Sequence, residues 1–136
     1  MEKIIIVDGT NSTMGRLASY SAKQVLIGKE VIILNANDVI ISGDKKNILL
    51  KWKELVKKGG SSQKGPNISR TPERILKRVI RGMLSHKQSR GSEALKRVKC
   101  YNEIPEKYKD KEKISGGREK KGKYITLKEL SELLKQ

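Results

Sequence analysis

Two uninterrupted apolar runs near the N-terminus flank a segment with helical periodicity. Residues 4–7 and 31–34 contain only Ile, Val and Leu, which predicts strands that are buried on both faces. Between them, small and apolar residues recur at helical spacing from Leu17 to Leu26, and Gly28 predicts the end of that helix. Strand, helix and strand at this spacing form a βαβ unit, so we expect the two strands to be parallel.

The pattern of alternating strands and helices continues along the chain. Residues 39–41 predict a short third strand, and Ser42-Gly43-Asp44 opens a helix whose apolar face includes Ile48 and Trp52. Residues 92–98 predict a short helix, and residues 99–101 predict a fourth strand. Near the end, Thr126 and Glu129 have the spacing of a capping box before a final amphipathic helix.

The strongest helical signal lies between Thr71 and Leu84. Thr71 and Pro72 predict a helix start, with a hydroxyl cap and proline at the first helical position. One face of this helix is apolar and must pack on the core; it consists of Ile75, Leu76, Val79, Ile80 and Met83. The other face carries a basic stripe at positions i, i+3, i+4 and i+7; it consists of Arg74, Lys77, Arg78 and Arg81. The pattern predicts a row of cations held in place by a buried apolar face.

The length of 136 residues predicts one domain, residues 1–136. Residues 59–70 are rich in Gly, Ser and Lys, which is typical of a mobile loop. Residues 105–123 are charged and irregular, which predicts an extended basic segment. No apolar run reaches the roughly 18 residues that a membrane span needs, and the start is too short in its apolar part for a signal peptide. We therefore expect a cytoplasmic protein.

The charge is strongly basic and unevenly distributed. Residues 59–123 contain nineteen Lys or Arg and seven Asp or Glu, so this block supplies +12 of the net charge of +16. A solvated surface rich in lysine would intersperse acids along the same helix face, whereas residues 74–99 contain nine basic residues and one acid, Glu93. The distribution favours a nucleic-acid partner. Because aromatic residues are only 4% of the chain, we expect recognition of folded RNA through its backbone and shape.

A small α/β nucleotide-binding or RNA-modifying enzyme is the alternative interpretation, and a regulator that binds one messenger RNA is a third. The loop from Gly9 to Gly15 follows a strand and opens a helix, a place where backbone N–H groups can bind phosphate. Its sequence matches neither the phosphate-loop pattern nor the dinucleotide pattern, so a tight turn is the better interpretation. Asp8 and Asp38 stand at strand ends, where turn chemistry explains them. A single His and a single Cys, Cys100, cannot form a structural zinc site, and Cys100 is most simply a small buried apolar residue.

Several motifs together resemble one family. Residues 14–19 read Met-Gly-Arg-Leu-Ala-Ser, residues 28–36 form a second block with the Ile-Ser-Gly of residues 41–43, and residues 81–87 read Arg-Gly-Met-Leu-Ser-His-Lys before Arg90-Gly91. Gly65-Pro66 precedes an Arg-Thr-Pro at residues 70–72. Over nearly its whole length the chain resembles ribosomal protein thirteen of the large subunit, in its archaeal and eukaryotic form. One departure is Ser85, where that family usually has Pro.

The resemblance implies an α/β fold, a three-layer α/β/α arrangement with a small, mainly parallel four-stranded sheet. It implies a structural component of the ribosome that binds and helps to fold the long rRNA of the large subunit during ribosome assembly. It also implies neighbouring ribosomal proteins as partners, a monomer within the ribosome, and no enzymatic activity, cofactor, metal, membrane or small-molecule substrate. Together with the basic segments, it predicts these rRNA-binding residues: Arg16, Lys64, Arg70, Arg74, Lys77, Arg78, Arg81, His86, Lys87, Arg90, Lys96, Arg97, Lys99, Arg118, Lys120, Lys121 and Lys123.

The loop of residues 59–70 gives a first testable prediction. Its only large apolar side chain is that of Ile68, so little burial opposes local opening. In the RNA-free protein, hydrogen exchange should be fast for the amides of residues 59–70 and slow for those of residues 31–34. Strong protection of the loop without RNA would instead make it part of the core.

Overall fold

The computed structural model describes residues 4–57, 70–85, 87–115 and 122–135. The α-helices are α1 (Met14–Leu26), α2 (Lys45–Lys57), α3 (Pro72–Gly82), α4 (Ser89–Lys96) and α5 (Leu127–Leu134). The strands are β1 (Ile4–Asp8), β2 (Glu30–Leu34), β3 (Ile40–Ser42), β4 (Val98–Cys100), β5 (Ile114–Ser115) and β6 (Tyr124–Thr126). Short 3-10 helices cover Ala36–Asp38 and Glu106–Tyr108.

The predicted βαβ unit is confirmed and forms the centre of the larger sheet. β1 and β2 are parallel over five residue pairs, from Ile4 opposite Glu30 to Asp8 opposite Leu34. β4 pairs in parallel with the other edge of β2, and the two-residue β5 pairs in parallel with the end of β1, so the strand order is β4-β2-β1-β5. Gly28, with φ of +107°, follows the last turn of α1 in a conformation that favours glycine. The sequence therefore gives both the direction of the strands and the end of the helix between them.

The predicted third strand does form, but not in this sheet. β3 pairs antiparallel with β6 in a separate two-stranded sheet, with Ile41 opposite Ile125. The carbonyl of Val39 also accepts a hydrogen bond from the N–H of Leu127 over 2.8 Å, which joins this pair to the start of α5. The sequence predicted this strand but not its partner, because a three-residue apolar run does not encode which strand it pairs with.

The two faces of the larger sheet are covered differently. Val7, Val31 and Ile33 are buried in a core to which all five described α-helices contribute apolar side chains. The alternate residues Ile32 and Leu34 point the other way and pack in a second cluster with Tyr101 and Tyr108. The mixed α/β class is confirmed, whereas the expected α/β/α layering is not, because a 3-10 turn and aromatic rings cover the opposite face in the described chain. The 3-10 turn lies at the start of the segment 105–123, which the sequence predicts to be irregular.

The helix α3 is attached to the core by the face that the sequence predicted. Ile75, Leu76 and Ile80 are at most 1% exposed, and Val79 packs against the same cluster. Met83 does not join them; it lies just beyond the last helical residue, Gly82, and is 45% exposed. The buried position after the helix belongs to Leu84.

A close backbone contact fixes the corner between α3 and α4. A Cβ atom added to Gly91 would lie 2.1 Å from the carbonyl oxygen of Ser85, far inside contact distance. The same carbonyl accepts the N–H of Gln88 over 2.9 Å. α3 has already ended at Gly82, so the helix stops before position 85, where this chain has serine. Glycine at position 91 is required because no side chain fits between α4 and the turn.

This contact predicts opposite effects for two Gly→Ala substitutions at the same corner. Gly91→Ala should destabilise the protein by about 1–3 kcal/mol, because the new methyl group overlaps a backbone carbonyl. Gly82→Ala is the matched control; nothing lies within 4 Å of its added Cβ, so it should stabilise the helix by about 0.5–1 kcal/mol. Urea denaturation of both variants measures the difference, and equal stabilities would contradict the packing described here.

Candidate nucleic-acid interface

The exposed face of α3 presents a row of arginine side chains. Arg74, Arg78 and Arg81 are exposed, and Lys77 between them is half-buried. The predicted stripe is therefore confirmed in its geometry. Three guanidinium groups on one rigid helix face can each donate paired hydrogen bonds to phosphate oxygens.

Two contacts from distant parts of the chain hold the N-terminal end of α3. The side-chain oxygen Oδ1 of Asn102 accepts the N–H of Glu73 over 3.0 Å and so satisfies a free donor of the first turn. The hydroxyl of Ser131 in α5 donates to the carbonyl of Arg70. The start of the basic stripe is thus positioned by the segment after β4 and by α5, a connection that the sequence did not suggest.

The basic surface continues beyond α3 along the corner and α4. Lys87, Arg90 and Lys96 are exposed. Glu93 is the single acidic residue of α4. We call the exposed side chains of Arg74, Arg78, Arg81, Lys87, Arg90 and Lys96 the α3–α4 surface. These six side chains are all basic, so the α3–α4 surface is strongly positive and attracts a polyanion.

Two predicted RNA-binding residues have partners inside the protein. The guanidinium of Arg97 donates through Nη1 to the carbonyl of Val25 over 2.9 Å, and this carbonyl at the end of α1 also accepts the N–H of Gly28 over 3.1 Å. The ammonium of Lys99 lies 3.5 Å from a carboxylate oxygen of Glu30 on the neighbouring strand. Arg97 therefore ties α1 to β4, and sequence spacing could not distinguish it from the exposed arginines.

Lys77 is half-buried, and its ammonium interacts electrostatically with the half-buried Cys100. Burial raises the pKa of Cys100 to about 12, with the Lys77 ammonium acting in the opposite direction and the Glu73 carboxylate in the same one. A thiol held in its neutral form is a poor nucleophile, so the geometry agrees with the interpretation of Cys100 as a packing residue.

Other predicted binding residues lie on separate elements. Arg16 at the start of α1, Arg70 before α3 and Lys123 before β6 are all exposed. Lys64, His86, Arg118, Lys120 and Lys121 lie outside the described residues, as does most of the loop 59–70.

A further set of exposed lysines lies on α2 and was not among the predicted binding residues. They are Lys45, Lys46, Lys51 and Lys53. The signal was present, because α2 contains five lysines and one acid, Glu54. The apolar residues at helical spacing predicted only the core-facing side of this helix.

The loop from Gly9 to Gly15 uses its first backbone donors internally. The N–H of Gly9 donates to the carbonyl of Leu34 over 2.8 Å, that of Asn11 to Asp38, and that of Ser12 back to Gly9. A Cβ on Gly9 would lie 2.8 Å from a methyl carbon of Val39, so the glycine is needed for close packing. The loop is a packed turn, and these N–H groups are not available to a nucleotide phosphate.

Asp8 takes part in the same turn. Its Oδ1 accepts the N–H and the hydroxyl of Thr10 over 3.1 and 2.8 Å, and the amide of Asn35 over 2.9 Å. Burial favours the protonated acid, but the hydrogen bonds from Asn35 and Thr10 outweigh it and lower the pKa of Asp8. A carboxylate held ionised by three internal donors joins the ends of β1 and β2, as turn chemistry predicts.

A family comparison decides what kind of protein carries this surface. Residues 2–107 match the family model described as "Ribosomal protein L13", a span that includes α1, α3, α4 and the larger part of the sheet. The chain belongs to the ribosomal protein L13 family.

Individual relatives extend the similarity to nearly the whole chain. A protein of Archaeoglobus fulgidus is 38% identical over 95% of this chain and 86% of its own length, and one of Methanocaldococcus jannaschii is 42% identical over 95% and 96%. One of Thermoplasma volcanium is 48% identical over 74% of this chain and 73% of its own length. Each is named "Large ribosomal subunit protein uL13". The predicted resemblance is therefore confirmed.

Neither a cluster of metal-ligating side chains nor a membrane-spanning helix occurs in the described part of this member of the L13 family. Across residues 4–57, 70–85, 87–115 and 122–135, no three His, Cys, Asp or Glu side chains are grouped so that they could hold a metal ion. None of the described helices has the length and apolar character needed to cross a membrane.

The raised pKa of Cys100 gives a prediction for this site. Its ordinary pKa is 9.0, so at pH 8 the folded thiol should react with iodoacetamide roughly a thousandfold more slowly than an unfolded one. Protein unfolded in guanidinium is the control. Because the folded pKa is the higher one, the thiol's contribution to stability is complete below pH 9 and is lost as the pH rises towards about 12. Rapid alkylation of the folded protein would contradict this burial.

Proposed function

We propose that this protein binds the long rRNA of the large ribosomal subunit through the α3–α4 surface and stabilises the folded RNA there. One observation carries the proposal: three exposed arginines stand in a row on α3, and the opposite face of that helix is fully buried. As a member of a ribosomal-protein family, the chain is a structural component and not an enzyme.

The mechanism is electrostatic and structural. RNA helices repel each other through their phosphates, and cations held at fixed positions between them reduce that repulsion. A helix buried along one face presents its cations without the entropic cost of ordering a flexible segment. Binding releases the counterions condensed on the RNA, so the affinity depends strongly on salt.

Further basic residues extend the contact beyond the α3–α4 surface. Arg16, Arg70 and Lys123 are exposed on other elements and are available to other phosphates. We assign the same role to Lys64, His86, Arg118, Lys120 and Lys121, on sequence grounds alone. The protein then acts in the ribosome of the cytoplasm, as a single copy beside neighbouring ribosomal proteins, and contributes to the assembly of the large subunit.

The two faces of α3 should separate binding from stability. Replacing Arg74, Arg78 and Arg81 with Gln should leave the thermal midpoint almost unchanged, because these side chains are exposed and Gln is a good helix former. Affinity for large-subunit rRNA fragments should fall sharply, and the slope of log K against log salt should become shallower by about 0.9 for each lost phosphate contact. Filter binding at salt concentrations between roughly 50 and 200 mM measures both the RNA affinity and its salt dependence.

The control is a substitution on the other face of the same helix. Ile75→Ala should cost about 2–5 kcal/mol of stability and lower RNA affinity only in proportion to the unfolded fraction. If the triple Gln variant binds RNA as tightly as the wild type, the arginines of α3 contact only solvent and do not contribute to RNA binding.

A further inference from the structure

A cleft beside the antiparallel pair β3–β6 gathers residues that the α3–α4 surface does not use. It has a volume of about 450 Å³ and lies between the start of α2 and the segment that leads into β6. Its lining consists of Asp44, Lys45, Lys46, Gly122, Lys123 and Tyr124. This volume lies within the range of roughly 300–1,000 Å³ that is usual for small-molecule and cofactor sites.

The antiparallel pair β3–β6 forms the cleft from two remote segments. Ser42 pairs with Tyr124, and the N–H of Gly43 donates to the carbonyl of Lys123 over 2.9 Å. Gly43 and Gly122 both have positive φ, at +133° and +114°, so the chain turns at the two sides of the cleft. The cleft is therefore shaped by the hydrogen-bonded backbone of two strands and not by surface side chains alone.

Two lysine side chains of the cleft are available to bind a ligand. The ammonium of Lys45 lies 2.9 Å from a carboxylate oxygen of Glu129 and is already paired. Lys46 and Lys123 are exposed and form no ion pair with the described part of the chain. Asp44 accepts the N–H of Lys46 through Oδ1 over 2.9 Å, which fixes its carboxylate at the rim.

Tyr124 gives the cleft an aromatic wall. Its side chain is 41% exposed although it stands in a strand, so the ring can receive a flat group. Unpaired bases stack on such rings, whereas bases inside an RNA duplex are not accessible to them. A carboxylate such as that of Asp44 is a suitable acceptor for the amino group of a base.

From this combination we infer that the cleft binds a single unpaired nucleotide of RNA. Its base stacks on Tyr124, and its phosphates lie near Lys46 and Lys123. The inference rests on the proposed function in taking RNA as the partner, but it requires a different kind of contact: the α3–α4 surface holds phosphates of folded RNA, whereas the cleft holds a base that has left the stack.

The test uses paired tyrosine substitutions in the full-length protein. Overlapping fragments of the large-subunit rRNA are the probe, and filter binding gives the affinity for the fragment that the wild type binds best. Tyr124→Leu, which keeps an apolar side chain but removes the aromatic ring, should lower affinity roughly five- to a hundredfold. Tyr124→Phe should bind within about twofold of the wild type, because the ring that stacks is retained.

Two further variants make the result specific to the cleft. Tyr20→Leu changes another exposed tyrosine, 39% exposed on α1, and should leave the affinity unchanged. The double variant Lys46→Gln, Lys123→Gln tests the cleft without touching a strand, and should make the salt slope shallower by about 0.7 for each contact with unpaired RNA. Thermal melts confirm that each variant is folded.

The outcomes distinguish this inference from the proposed function. Wild-type affinity in both Tyr124→Leu and the double lysine variant would overturn the inference. The proposed function would still stand if the arginine variant of α3 lost affinity in the same assay. A wild-type protein that binds no rRNA fragment would overturn both.

Discussion

The burial of one face of α3 is the constraint on which the rest of the structure depends. Ile75, Leu76 and Ile80 insert into the core between the sheet and the neighbouring helices, and a helix has a fixed angle between its faces. Once this face is buried, the direction of Arg74, Arg78 and Arg81 is set. Apolar burial must also offset the repulsion among these like charges, which would destabilise an isolated helix of this sequence.

The charged and polar groups fall into two classes with different tasks. Arg97, Asp8 and Asn102 satisfy backbone or side-chain groups within the fold, each with a partner about 3 Å away. The arginines of α3 lie exposed on the surface instead. In a member of the ribosomal protein L13 family this division is reasonable, because binding a polymer needs many moderate contacts and no precisely tuned catalytic group.

The aromatic cluster on the other face of the sheet explains how a lysine-rich segment is attached to the core. Tyr108 is 9% exposed and lies over Ile32 and Leu34, with its ring centre 5.8 Å from that of Tyr101. The ammonium of Lys107 lies 5.0 and 5.8 Å from the two ring centres, within the range of cation–π attraction. The segment after β4 can therefore contain many lysines, because the aromatic rings at its start pack against the sheet.

The sequence by itself determined the elements that depend on local pattern: the parallel βαβ unit, the two faces of α3, the capping box in which Thr126 accepts the N–H of Glu129, and the basic character of the partner surface. The tertiary structure decided what covers each face and which distant residues meet. It paired β3 with β6, placed Tyr108 on the sheet, turned Arg97 inward, and brought Lys46 and Lys123 to one cleft. The physical reason is that periodicity shows which side of an element is apolar, whereas its partner is selected by the packing of the whole chain.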